Sequence, residues 1–199
     1  EPARVHVRLH IVVHAVRWRQ GRVEVEGTCL GRAFRAEAER AVITLPLGVL
    51  QLPSNAIGAI RFTPTLHAKR SALAALASGP AMKAILRFRT AFWERLEQGR
   101  YRRAGFFQAP DAIFPTFWTG YPTLAPVLVA WAGGPRARRL SVHADPAAVI
   151  RNALESAREL FGAGVDVEDE LAGAYLHDWQ RDPYARGAYS YVQVGGQGA

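Results

Sequence analysis

The sequence predicts an α+β fold: a mixed β-sheet domain flanked by helices and preceded by a β-meander. Three observations predict it. Apolar residues alternate with a period of two from Val5 to Val16, at Val23 and Val25, and again from Met82 to Phe88. They recur at helical spacing from Val149 to Phe161. Glycine and proline separate these tracts, and no internal repeat or low-complexity tract is present.

Each element follows in chain order. Val5, Val7, Leu9, Ile11, Val13 and Ala15 face one way and His6, Arg8, His10 and His14 the other, the pattern of a half-buried strand. Gln20-Gly21 supplies a turn, Val23 and Val25 continue the alternation, and a third strand begins near Phe34. Ala41 to Leu45 is an unalternating apolar run stopped by Pro46, which reads as a strand buried on both faces, with Gly48 at its exit. The character changes after Pro53, so a domain boundary is placed near residue 50. A helix is expected from His67 to Ser78, closed by Gly79-Pro80. Strands follow at Met82–Phe88, Ile113–Thr119, Val127–Ala132 and Leu171–Trp179, with Glu94 to Arg103 read as a solvated basic loop. Asp145-Pro146 forms an N-cap and first turn for a helix that Gly162 ends. The segment from Arg181 to Val194 is rich in aromatics and turn formers, and Gly195 to Ala199 reads as unstructured.

Composition narrows the function. With 199 residues, 49% apolar and 21% charged, the chain suits one ordinary domain or two small ones and is not disordered in the main. No apolar run approaches the roughly 18 residues of a membrane helix. A lone cysteine, Cys29, excludes an internal disulfide framework and a cysteine-rich zinc site. His6, His10 and His14 lie four apart, and on a strand rising about 3.3 Å per residue that spacing is too wide for one ion, so no metal site is expected. The net charge of +8 comes from 23 arginines and two lysines against 17 acids and favours anionic partners in general. The clusters at Arg100, Arg102, Arg103 and at Arg136, Arg138, Arg139 are read as loops without interleaved aromatics, so nucleic acid is not the expected partner. No nucleophile elbow or phosphate loop is present, and Asp178 and Asp182 bracket Trp179 without an evident acid–base partner. By pattern alone, Lys83 is a solvated cation on the face of Ile85 and Arg87, and Trp179, Tyr184, Tyr189 and Tyr191 are core aromatics.

Three separated stretches carry a resemblance. Leu9 to Trp18 with Ala41 to Leu50 (including Thr44-Leu45-Pro46-Leu47-Gly48-Val49-Leu50), Gly79 to Leu86 with Phe92-Trp93, and His177 to Val192 (including Asp182-Pro183-Tyr184-Ala185-Arg186-Gly187) resemble, in order, the flavin-dependent amine oxidases. That family includes monoamine oxidases, polyamine oxidases and flavin-type histone lysine demethylases. The resemblance covers nearly the whole chain and is weakest from about residue 94 to 145.

What it implies is specific. Residues 1–50 are expected to be part of an FAD-binding domain, 51–185 a substrate domain, and 186–199 a segment returning toward the FAD domain. The dinucleotide fingerprint is expected before Glu1 and a further flavin-binding segment after Ala199, which makes this chain a middle slice whose partners include the remaining FAD-domain segments. The implied cofactor is FAD and the implied substrates are an amine and molecular oxygen, giving an imine and hydrogen peroxide. Lys83 matches the family's active-site lysine. Trp179 matches a tryptophan beside the flavin, and Tyr189 and Tyr184 match aromatic positions of the amine pocket, although Tyr184 stands where some members carry tryptophan. Val13, Thr44, Leu45 and Pro46 match positions that hold the cofactor through the backbone or the strand end. Lys83 and Trp179 are expected to border one shared space. A non-catalytic binding module of the same fold and a basic nucleic-acid-binding domain stand as alternatives. The sequence does not set the compartment, for which the cytoplasm is the default expectation.

Overall fold

The computed structural model describes residues 5–142, 145–162 and 164–198, so the ends of the expected first and last segments, residues 1–4 and 199, lie outside it. The chain forms two compact units: Glu1–Ala77 with Pro183–Arg186 and Ser190–Ala199, and Ser78–Asp182 with Gly187–Tyr189. The change of composition near residue 50 falls inside the first.

In the first unit, β1 (Ile11–Arg19), β2 (Arg22–Cys29) and β3 (Arg32–Ala38) form the expected meander. Gly21 takes φ +74° in the first turn, and Leu30 and Gly31 take φ +48° and +79° in the second, the paired positive values of a tight hairpin. The strand begins at Ile11 and not at Val5. Val5, Val7 and Leu9 alternate but have no ladder partner and stand at least 71% exposed. The inward set also changes at His14, where the register shifts, so that Ala15 and Val16 are both buried.

The meander's charged face is a cross-strand ladder. Arg17 pairs with Glu24 and Glu26 at 3.5 and 2.9 Å, Arg22 with Glu37 at 2.7 Å, and Arg35 with Glu24. The hydrogen bond from Arg35 holds the Glu24 carboxyl below the usual carboxylate range.

Ala41 to Leu45 is not a buried strand. It pairs with no strand among the described residues, and Val42 is 90% exposed. An apolar run needs a partner on each edge to become a central strand, and the sheet order β3-β2-β1-β4 gives it none. Then follow α1 (Leu47–Leu50) and β4 (Arg61–Thr63), which pairs parallel to Ala15–Arg17 of β1. The expected helix from His67 is a 3₁₀ turn, His67–Lys69, running into α2 (Arg70–Ala75), and it yields early to β5 (Leu76–Gly79).

The second unit is built on β6 (Ala81–Phe88). Beyond it come short 3₁₀ turns within Phe92–Gly99, broken at Leu96, Glu97 and Gln98, so that the expected loop from Glu94 to Arg103 is helical only in part, then β7 (Phe106–Gln108), β8 (Thr116–Thr119) and β9 (Val127–Gly133). The arginines at 136, 138 and 139 lie on a helix, α3 (Gly134–Val142), and not in a loop. α4 (Pro146–Phe161) starts and stops where expected: Asp145 accepts from the Ala147 and Ala148 amides, and Gly162 takes φ +84° at the exit. α5 (Val167–Glu170) precedes β10 (Leu171–Asp178), and β11 (Tyr189–Val192) pairs with β5. The tail is tied down: Gln193 donates through Nε2 to the carbonyls of Ala74 and Leu76, and its amide donates to Ala75.

The five strands are ordered β10-β6-β9-β8-β7, and every pair is antiparallel. One face is sealed. Met82, Ala84, Leu86 and Phe88 of β6 and Leu128, Ala130 and Ala132 of β9 are at most 1% exposed, in one cluster with Val149, Ala153, Leu154 and Ala157 of α4. Phe92, Phe107 and Phe161 close its end edge to face, with centroids 5.0–5.3 Å apart. In α4, Ser156 donates to the Asn152 carbonyl and accepts from the Phe114 amide, so its buried hydroxyl is satisfied.

Two stability outcomes follow. Leu86→Ala opens a cavity under the sheet and lowers the unfolding free energy by about 3 kcal/mol, measured by urea denaturation. Glu24 is more acidic folded than unfolded, so its stabilisation is present above the ordinary glutamate value of 4.5 and is lost as the pH falls below it. Thermal melts on either side of that pH should show a smaller acid loss in Glu24→Gln than in the parent chain.

Candidate active site

The sheet's other face carries the candidate site. Because β6 buries its even-numbered residues, Lys83, Ile85 and Arg87 point the opposite way. Pairing register then lines up one rung across all five strands: Gln108, Thr116, Trp131, Lys83 and His177. The neighbouring rung reads Phe106, Trp118, Val129, Ile85 and Tyr175. Lys83 thus stands between Trp131 and His177.

Lys83 is half-buried, and its ammonium lies 5.5 Å from the centroid of the Trp118 ring, a cation–π contact that leans it toward β8. Trp131 sits over Gly133. A Cβ at that glycine would stand 2.5 Å from the indole Cη2, so the missing side chain is what admits the ring. Tyr189 meets the same indole edge to face at 6.4 Å. The Trp131 Nε1–H is buried without a hydrogen-bond partner among the described residues. On the other side of Lys83, the rings of His177 and Trp179 are 4.3 Å apart, and His177 Nε2 lies 3.2 Å from Asp182 Oδ2. The Gly187 amide donates to the Trp179 carbonyl at 2.8 Å, and the Ala188 amide to that of Gly79, which brings Tyr189 back to this face.

Three of the residues singled out by resemblance, Lys83, Trp179 and Tyr189, therefore share one face of the second unit. The third aromatic singled out does not belong to that unit. Tyr184 lies in the first, on a segment packed so closely that a Cβ at Gly48 would stand 2.5 Å from the Arg186 carbonyl oxygen. Its ring is 80% exposed. Trp118, Trp131 and His177 were missed. The signal was available in part: Val127, Val129 and Trp131 share one parity on their strand, but only the cross-strand register brings that parity beside Lys83.

The residues expected to hold the cofactor lie in the first unit. Val13, Thr44 and Leu45 line one apolar groove of about 270 Å³ together with Val16, Val25 and Ile43; Pro46 is not among its lining residues. In this unit's meander Arg17, Arg22 and Arg35 are paired with Glu24, Glu26 and Glu37. Among the described residues no group of three or more metal-ligating side chains converges, and no helix is long and apolar enough to cross a membrane.

The model of the flavin-containing amine oxidoreductases matches residues 1–199. The chain belongs to this family. It is 30% identical over 162 residues to Lysine-specific histone demethylase 1 homolog 3 of Arabidopsis thaliana, covering 80% of this chain and 9% of that protein. It is 32% identical over 195 residues to "Probable polyamine oxidase 4" of Arabidopsis thaliana, covering 94% of this chain and 34% of that protein. Among solved structures, a putrescine oxidase variant superposes with a TM-score of 0.73 at 20% identity over 94% of this chain and 38% of its own. Cyclohexylamine oxidase from Brevibacterium oxydans gives 0.66 at 22% identity over 90% and 36%. These structures share the fold. The chain spans about a third or less of the curated relatives described here.

Two features bear on the family's flavin, one in each unit taken by itself: an apolar groove lined by Val13, Thr44 and Leu45 in the first, and a cation at an aromatic face in the second. Gly133→Ala tests the geometry of that face. The added methyl displaces the Trp131 indole, so the near-ultraviolet circular dichroism of the tryptophans should change while the far-ultraviolet spectrum is retained.

Proposed function

We propose that this chain is part of an FAD-dependent amine oxidase that converts an amine to an imine, which is hydrolysed, with hydrogen peroxide as the second product. The observation that carries the reading is the Lys83 ammonium, held by Trp118 on a face built from aromatic rings. When bound, FAD supplies the two-electron chemistry, accepting a hydride equivalent from the carbon next to nitrogen and delivering the electrons to oxygen.

The chain's own residues supply binding, orientation and charge. The groove of Val13, Thr44 and Leu45 offers an apolar slot for a flat heterocycle, and Trp179 offers a ring beside the flavin. Trp118, Trp131 and Tyr189 present π faces that attract an ammonium and apolar rings that shed water from the approach. Lys83 holds a fixed positive charge where negative charge develops, and a half-buried site makes that charge count for more than it would in water. Tyr184 is assigned to the same pocket on resemblance alone.

Lys83→Met removes the charge and keeps most of the length. In the full-length flavoprotein it should slow turnover or flavin reoxidation about 100-fold, read by stopped-flow absorbance, with the melting temperature nearly unchanged. Equal rates would take Lys83 out of the mechanism. A full-length protein that is colourless as purified and takes up no FAD would favour a binding module of the same fold.

A further inference from the structure

An amine reaches its oxidase mostly as an ammonium ion, and the nitrogen lone pair that assists hydride loss is then occupied by a proton. That proton needs an acceptor at the site. Lys83 and Arg87 carry only donors. Arg87 is also engaged, donating to the Ala172 carbonyl at 3.1 Å with its guanidinium over Gly173. The hydroxyls of Tyr175 and Tyr189 are weak bases. Asp178, on the alternate parity of β10, accepts from Ser141 and from the Gln180 amide. His177 remains.

Three neighbours define its setting. His177 is the direct cross-strand partner of Lys83, its ring packs on Trp179, and its Nε2 meets Asp182 Oδ2 at 3.2 Å. A carboxylate 3.2 Å from Nε2 favours the ring proton on that nitrogen, with Nδ1 as the acceptor. The imidazole side chain is 48% exposed and that of Asp182 19%, so the ring is open to a ligand and to solvent while its orienting partner is largely covered. Lys83 leans away over Trp118, which keeps its ammonium from the side where His177 stands. The carboxylate that had no evident partner in the sequence has one here.

Resting on the amine-oxidase reading, we propose that His177, oriented by Asp182, takes the proton from the incoming ammonium: R–CH2–NH3⁺ and neutral imidazole become R–CH2–NH2 and imidazolium. The imidazolium returns its proton to solvent after the amine is consumed. His177 thereby sets which ionic form the protein accepts, a primary or secondary ammonium that still has a proton to give, and it discriminates against quaternary ammonium ions.

The test uses the full-length, FAD-loaded protein with n-butylamine, benzylamine and spermidine as probes. In anaerobic stopped flow between about pH 5 and 9, the parent's flavin-reduction efficiency should level off once His177 is neutral, whereas that of His177→Gln should keep rising about tenfold per pH unit toward the ionisation of the amine itself. Added imidazole should restore the plateau in His177→Ala. Identical pH profiles in parent and His177→Gln, with no rescue of His177→Ala by imidazole, would overturn the assignment while leaving the amine-oxidase reading intact. If none of the probes reduces the flavin, that reading fails and this inference falls with it.

Discussion

The second unit depends on the two-faced character of β6. Met82, Ala84, Leu86 and Phe88 are sealed beneath helices, and each larger side chain so buried stabilises the fold by about 1.5–3 kcal/mol. That burial leaves Lys83, Ile85 and Arg87 no direction except the open face. A slip of one residue would put Lys83 and Arg87 into a core of leucine and phenylalanine, where an unpaired cation is far more costly than any burial it could replace. The position of the candidate catalytic lysine is therefore a by-product of packing on the other side of the sheet.

What surrounds Lys83 is set by register. Antiparallel pairing brings Trp131 beside it from β9 and His177 from β10, and the diagonal position on β8 brings Trp118 under its ammonium. Gly133 is the detail that lets the indole lie where it does. Together these make a surface with a lysine ammonium, three indoles and a histidine–carboxylate pair.

The first unit is organised by different forces. Its meander is three strands linked across their outer face by arginine–glutamate pairs, with a bulge at His14 that turns two consecutive residues inward. The apolar tract from Ala41 to Leu45 runs beside it without a ladder and contributes to a groove instead of a strand. Local hydrophobicity suggested a central strand there, yet a strand is defined by hydrogen-bonding partners, which composition does not reveal.

Alternation, caps and turn residues determined much of the fold from the sequence alone. β6, β9, β10 and α4 were all legible, because a period of two or 3.6 and an Asp-Pro start are local properties. The family was legible through its motifs, which also singled out Lys83, Trp179 and Tyr189 as candidates. α3, the displaced start of β1, the early end of α2 and the partnering of His177, Trp118 and Trp131 with Lys83 were decided by tertiary structure, because each depends on which distant strand lies alongside. Spacing along the chain says which way a side chain points; only the register of its neighbours says what it meets.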